Sequence, residues 1–363
     1  MSRPGSATAP DTELASLTRL RRDAVAWDAF VAASDAPSHL QSTAWARAKA
    51  PNGWRPFRVV VDGGSGPIGA QVLVRKLGPG PFALGYAARG PIATRFDEAS
   101  LAAFTDALRR TARRLRLTHV TIDPGLEGTG PGELLQASGW KPAAPVQHLS
   151  SRLIDLTRPE AELWSGLRSS ARWSVNRARR SGYLTEDAGE AGLDDFFAVM
   201  IETALRRGYI HRSADAYRNT YRAFASAGDA RLLVARTGPD GEAVATLMLL
   251  ACGNRIIEAY GASTLEGSRG RSNYLLKWEA IRSSAARGFT SYDVWGTDQH
   301  GLAEFKAGFG GREVTYCGAW DLVTLPLLHL GLLRARRGYV GLVRRRGGLA
   351  AVATDHGWSP ADG

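Results

Sequence analysis

The stretch Gly301-Leu302-Ala303-Glu304-Phe305-Lys306-Ala307-Gly308-Phe309-Gly310-Gly311 follows a short apolar run that ends at Asp293. It sets one lysine between two phenylalanines, beside three closely spaced glycines. The chain has five lysines (Lys49, Lys76, Lys141, Lys277 and Lys306), so 41 of its 46 basic residues are arginine. Lysine is therefore an unusual choice here. A compact ammonium with three donors, carried on a rigid turn, suits the stabilisation of one developing negative charge. The same residues also fit a surface lysine on a short helix that stops at Gly308, with the glycines as C-cap and turn. Residue types alone leave the two readings even.

Working outward, the segments before this stretch repeat an order found earlier in the chain. Strand-like runs at 54–62, 68–77 and 82–87 precede a helical pattern at 97–117 and a strand at 119–123. Runs at 231–236, 243–252 and 255–260 precede a helix at 272–287 and a strand at 289–293. In the first helix Leu101, Phe104, Leu108, Ala112 and Leu115 share one face. Two copies of one α/β unit are therefore expected. Between them, helices are predicted at 159–167, 169–181, 193–207 and 214–227. Three antiparallel-looking strands before a helix suit the acyltransferase fold of acetyl-CoA users. However, Gly267-Ser268-Arg269-Gly270-Arg271-Ser272 lacks the Arg/Gln-x-x-Gly-x-Gly/Ala order that cradles a CoA pyrophosphate.

At 363 residues the chain fits two domains, with 44% apolar content and a mean hydropathy of −0.19. A net charge of +11 suggests a polyanionic partner, although a GC-rich genome also inflates arginine. Arg172, Arg177, Arg179 and Arg180 crowd one predicted helix with Trp173. They read as a solvated face or as a phosphate-contacting one. Cys252 and Cys317 are the only cysteines, and the seven histidines lack paired ligand spacing, so no disulfide framework and no metal site are expected. Residues 325–346 alternate leucine and valine with arginine, a pattern suited to an anionic bilayer, to RNA or to packing on the domain. No signal peptide or membrane-spanning helix is expected, which predicts a cytoplasmic protein with peripheral contact at the membrane face. Gly-x-Ser-x-Gly, Walker and dinucleotide motifs are missing.

Several short pieces together resemble the FemABX family. They are Gln41-Ser42 with Trp45 and Lys49; Arg89-Gly90-Pro91; Asp155-Leu156 followed by Trp164 and Leu167; Arg172 with Asn176, Arg177, Ala178 and Gly182; Thr203 with Arg206, Arg207 and Gly208; Tyr260-Gly261-Ala262-Ser263; Trp278 with Gly288; Tyr292-Asp293 with Gly296; and Phe305 to Gly311. The resemblance spans about 38–322 and is to members without a long helical arm. It implies an α/β (α+β) fold of two tandem acetyltransferase-like (GNAT-type) domains, with mixed sheets flanked by helices. The expected division is a disordered tail at 1–12, domains at 13–157 and 158–322, a basic amphipathic segment at 323–346 and a disordered tail at 347–363.

The resemblance also implies function. Such enzymes use aminoacyl-tRNA as donor and a lipid-linked muropeptide, a peptidoglycan precursor, as acceptor, with no cofactor or metal. Carried over, Lys306 would stabilise the oxyanion, and Phe305 and Phe309 would shape the site. Lys49 and one of Arg206 or Arg207 would grip the precursor's phosphates, and Tyr260 and Ser263 would line the acceptor cleft. Asp97 or nearby Glu98 would take the acceptor's proton. In the absence of an arm, tRNA contact would fall to Arg172, Arg177, Arg179 and Arg180. The alternatives are an acyl-CoA-dependent N-acyltransferase, a tRNA-dependent transferase acting on a soluble peptide such as an antibiotic, and a silent member that only binds nucleic acid or membrane.

Overall fold

The computed structural model describes residues 9–208, 211–297 and 300–345. In chain order the helices and strands are α1 (Ala9–Arg22), α2 (Ala24–Ala32), α3 (Thr43–Lys49), β1 (Arg55–Asp62), β2 (Pro67–Lys76), β3 (Ala83–Arg89), β4 (Ile92–Ala93), α4 (Glu98–Arg114), β5 (Leu117–Pro124), α5 (Gly130–Ala137), β6 (Lys141–Ala143) and β7 (Ser150–Asp155). Then follow α6 (Glu160–Ser165), α7 (Ser169–Arg180), β8 (Leu184–Asp187), α8 (Leu193–Arg207), α9 (Ala214–Ala225), β9 (Ala230–Arg236), β10 (Ala243–Cys252), β11 (Arg255–Ser263), α10 (Leu265–Gly270), α11 (Ser272–Ala286), β12 (Ser291–Asp293), α12 (His300–Ala307), β13 (Arg312–Thr315), β14 (Ala319–Val323) and α13 (Pro326–Arg345).

The expected repeat is present and goes further than the sequence pattern. One sheet runs β1-β2-β3-β5-β14-β6 and the other β8-β9-β10-β11-β12-β7-β13. Three antiparallel strands in the first and four in the second lead to a parallel pair, β3 with β5 and β11 with β12. The next strand is antiparallel in both, but it comes from elsewhere in the chain. β14, from the end of the second repeat, joins the first sheet beside β5. β7, which precedes the second repeat, joins the second sheet beside β12. This corrects the expected boundaries of 13–157 and 158–322. Among the described residues one unit holds 9–46, Gly53–Ala144 and Cys317–Arg334; the other holds Arg47–Asn52, Pro145–Tyr316 and 335–345. Alternation along a strand marks a strand but does not name its neighbour, so strand partners are invisible to local pattern.

Each sheet is backed by a helix whose buried stripe follows from spacing. In α4, Leu101, Phe104, Leu108 and Ala112 are fully buried. Asp97 caps that helix, accepting from the Ser100 amide at 2.9 Å while the Ser100 hydroxyl bonds back to the Asp97 amide. Helix α11 is buried more evenly, through Leu275, Leu276, Trp278, Ala280 and Ile281, and it also carries the buried Lys277. A charge at that depth requires a partner.

Two further expectations change. Residues 9–12, predicted as disordered tail, belong to α1, and the rest of that tail lies outside the described residues, as do 347–363. The Gly267–Ser272 turn is the end of α10 and the start of α11, joined through Arg271 in a left-handed conformation at φ 66°.

Candidate active site

The second sheet opens where the first stays closed. β3 and β5 remain paired as far as Arg89 and Pro124, and Asp123 locks that end by accepting from the Arg89 amide and the Tyr86 hydroxyl. β11 and β12 pair only from Arg255–Ser291 to Ile257–Asp293, while β11 continues to Ser263. The last part of β11 therefore leaves β12 behind. A register shift against β10 falls opposite Glu258 and Tyr260, and such a bulge re-aims the side chains beside it. A gap at the C-terminal ends of adjacent parallel strands is where open α/β sheets receive ligands.

A buried ion pair sits where the strands part. Lys277 Nζ lies 2.6 Å from both carboxylate oxygens of Glu258, and the Tyr292 hydroxyl donates to Glu258 at 2.9 Å. Burial, and then the Glu258 charge, push the Tyr292 hydroxyl well above the ordinary tyrosine range, so it stays protonated and donating. The Lys277 ammonium also lies 5.1 Å from the Phe305 ring centre and 5.6 Å from that of Phe309. Residue type alone gave Lys277 no distinction. Its place on the all-buried α11 stripe is the signal that could have found it.

Past β12 the chain turns through two left-handed residues, Trp295 at φ 51° and Gly296 at φ 65°. Asp293, buried, accepts from the Trp295 amide at 2.9 Å and from the Ser151 hydroxyl at 2.5 Å, which fixes the turn. The turn aims two carbonyls inward, and Lys306 Nζ donates to both, to Gly296 at 2.8 Å and to Trp295. Lys306 is only 6% exposed. It is thus a buried ammonium in the last turn of α12, not a surface lysine. Phe305, Phe309 and Tyr274 pack as a triangle around that turn, with ring centres 4.8 to 5.8 Å apart.

The glycines hold the loop in place. Gly310 and Gly311 both have φ 80°, and a Cβ would lie 2.9 Å from the Gly166 carbonyl and 2.7 Å from the Leu153 carbonyl. Arg152 donates to the carbonyls of both, at 3.1 and 2.7 Å, and the Arg168 amide bonds to the Gly308 carbonyl at 2.9 Å. Arg152 is a residue that motif reading missed, and its strand position gives no hint of the role.

A second group lies at the free end of β11. The Ser263 carbonyl accepts from Thr203 at 3.0 Å and from the Arg206 guanidinium at 2.5 Å, and this joins two of the sequence candidates. The Ser263 hydroxyl is buried on the Val244 and Thr264 carbonyls, so this residue acts through its backbone. Tyr260 packs edge-on to Tyr217 at 5.1 Å, with the Arg212 guanidinium 5.5 Å from its ring centre. Arg207 is exposed at the end of α8. Lys49 ends α3 within the short stretch that groups with this same unit.

Other candidates have structural employment. Hydrogen bonds from Ser100 hold the Asp97 carboxyl below its ordinary range, with smaller help from Ser65 and Arg95. The Asp97 carboxyl, expected to take the acceptor's proton, is engaged as the cap of α4. Glu98 is exposed in the first turn of α4. Arg172 folds back onto the Ser165 carbonyl at 2.9 Å and the Leu167 carbonyl, and Arg179 pairs with Glu279 at 2.9 Å. Arg177 lies over exposed Trp173, 5.3 Å from its ring centre, and Arg180 is exposed. The expected basic face therefore narrows to the end of α7.

Known proteins agree with this architecture. Residues 23–128 match the FemAB family, and residues 165–307 match the acetyltransferase (GNAT) domain. The chain is 29% identical over 225 residues to a lipid II:glycine glycyltransferase of Staphylococcus aureus (strain MRSA252), covering 58% of this chain and 53% of that protein. It spans about half the length of that relative and of the similar one from Staphylococcus haemolyticus. With the protein of the same name from Staphylococcus saprophyticus it shares 24% identity over 377 residues, 82% of this chain and 91% of that one. The crystal structure of FemX superposes with a TM-score of 0.75 at 22% identity, covering 84% of this chain and 96% of FemX. A tandem GNAT protein from the clavulanic acid biosynthesis pathway gives a TM-score of 0.53 at 13% identity, over 88% of this chain and 97% of that one. A FemAB match on the first repeat, a GNAT match on the second and relatives named lipid II:glycine glycyltransferase together support membership of the FemABX family.

Proposed function

We propose that this protein transfers an amino acid from aminoacyl-tRNA to the amine of a lipid-linked peptidoglycan precursor peptide. The observation that carries the proposal is the Lys306 ammonium, buried and held by the carbonyls of Trp295 and Gly296 just past the end of β12. Relatives named lipid II:glycine glycyltransferase support the class of acceptor.

The acceptor nitrogen attacks the ester carbonyl, forming a C–N bond and a tetrahedral oxyanion. Lys306 stabilises that oxygen with a charged donor already oriented by the protein. Collapse breaks the ester C–O bond, and the proton lost by nitrogen ends on the ribose oxygen. Phe305 and Phe309 shape the pocket around the transferred group. Tyr260 and the Ser263 segment line the acceptor side, with Lys49 and Arg206 or Arg207 meeting its phosphates. Arg177 and Arg180 offer exposed guanidinium groups to tRNA phosphates, with Arg172 and Arg179 behind them. The donor is a co-substrate, and no cofactor is required. Exposed Leu327, Leu328 and Leu330 at the start of α13 support contact with the membrane face that carries the lipid-linked acceptor.

An acyl-CoA donor is the second reading, through the GNAT-like domain. Against it, the Tyr183 hydroxyl covers Gly270 just before α11 begins, within 2.0 Å of where a Cβ would stand. That is the turn a CoA pyrophosphate would need. Incubation with lipid-linked precursor and either tRNA charged with labelled glycine, alanine or serine, or labelled acyl-CoA, separates the two. Label should enter the lipid from tRNA alone. Label entering from acyl-CoA, with none from any charged tRNA, would refute the proposal.

A further inference from the structure

The seven histidines are scattered in sequence, yet the first unit brings two of them to one carboxylate. His119 stands on β5, Asp321 on the neighbouring β14 and His329 on the first turns of α13. One ligand atom from each lies within 4.8 Å of the others. The two imidazole rings are 4.5 Å apart, and His329 Nε2 is 3.5 Å from an Asp321 oxygen.

We infer that His119, Asp321 and His329 form a binding site for a transition-metal dication of the zinc class, which ties the start of α13 to the first sheet. Two ligand atoms each ~2.0–2.2 Å from a tetrahedral metal stand roughly 3.3–3.5 Å apart. His329 and Asp321 already hold that spacing, which is long for a hydrogen bond. Two of the ligands are braced from behind. Thr118 Oγ1 lies 2.9 Å from His119 Nδ1, leaving Nε2 for the metal, and the Thr121 hydroxyl donates to the second Asp321 oxygen at 2.5 Å. Two nitrogens and one oxygen suit zinc, cobalt or nickel and do not suit calcium or magnesium, which demand mostly oxygen. Three protein ligands leave a fourth position for water. The site belongs to the first unit and Lys306 to the second, and it fastens a helix with no role in the transfer chemistry.

The test uses the full chain without an affinity tag, stripped by chelator, and Co2+ as the metal. One equivalent per chain should produce the visible bands of low-coordinate Co2+ and raise the unfolding temperature. His119→Gln and His329→Gln should each keep the metal-free unfolding temperature. Each should lose more affinity than the ~10–100-fold that follows removal of a group bracing a ligand. No bands and no thermal shift in the wild type would overturn the inference, as would a Co2+ response that persists in both variants.

Discussion

Replacing Lys277 by Met tests the point where the second sheet opens. The Lys277 side chain is 1% exposed and that of Glu258 6%, with 2.6 Å between charged atoms. Methionine keeps most of the stem volume and removes the charge. Glu258 would then hold a buried carboxylate with the Tyr292 hydroxyl still donating to it. Deleting one partner of a buried pair costs about 3–5 kcal/mol, because the remaining charge is left uncompensated. For a unit of this size each kcal/mol lowers the unfolding temperature by about 2–4 °C, so a drop of roughly 6–20 °C is expected. Removing both charges, in Lys277→Met with Glu258→Gln, should recover most of that loss. The assay is thermal and urea unfolding of the four proteins in the cycle. A Lys277→Met protein within about 1 kcal/mol of wild type, or a double variant no better than the single, would refute the reasoning.

Three further outcomes follow from named contacts. Gly311→Ala places a Cβ 2.7 Å from the Leu153 carbonyl at φ 80°, adding about 1–2 kcal/mol of backbone strain to the overlap; unfolding should show the loss, and transfer should fall although Lys306 is retained. Asp97→Asn should keep the helix cap and the transfer rate, whereas Asp97→Ala should lower stability; transfer lost in a normally folded Asp97→Asn would restore the residue as proton acceptor. Because the folded carboxyl of Asp97 titrates below 3.8, its contribution is present above that pH and fades as pH falls through the lower folded value, so Asp97→Asn should lack that part of the acid limb. Arg177→Glu with Arg180→Glu should weaken tRNA binding and flatten its salt dependence, measured by filter binding across a salt series.

What the sequence made legible was local. The repeat and the α4 stripe follow from spacing, and the ordered set of short pieces from Gln41 to Gly311 carried the family resemblance. The exchange of β7 and β14 between sheets was not legible, since hydrogen-bonding partners lie as far apart as Thr121 and Asp321. Lys306 shows the same division. Its isolation among arginines singled it out, but the carbonyls of Trp295 and Gly296 that hold it depend on a left-handed turn at a tryptophan. Lys277 and Glu258 read as ordinary charges until α11 is seen to be buried on that side. Asp97, expected to serve the chemistry, is seen in the fold as the cap of α4.

The transfer assay on Lys306→Met tests the central claim most directly. Label moving from charged tRNA to lipid-linked precursor should slow by about 10²–10³-fold, the loss from one oxyanion donor, in a protein that stays folded at the assay temperature after losing about 1–3 kcal/mol for the carbonyls left without their donor. The loss should fall on kcat rather than KM, because the interaction is made in the transition state. A folded Lys306→Met enzyme that transfers label at the wild-type rate would contradict the account.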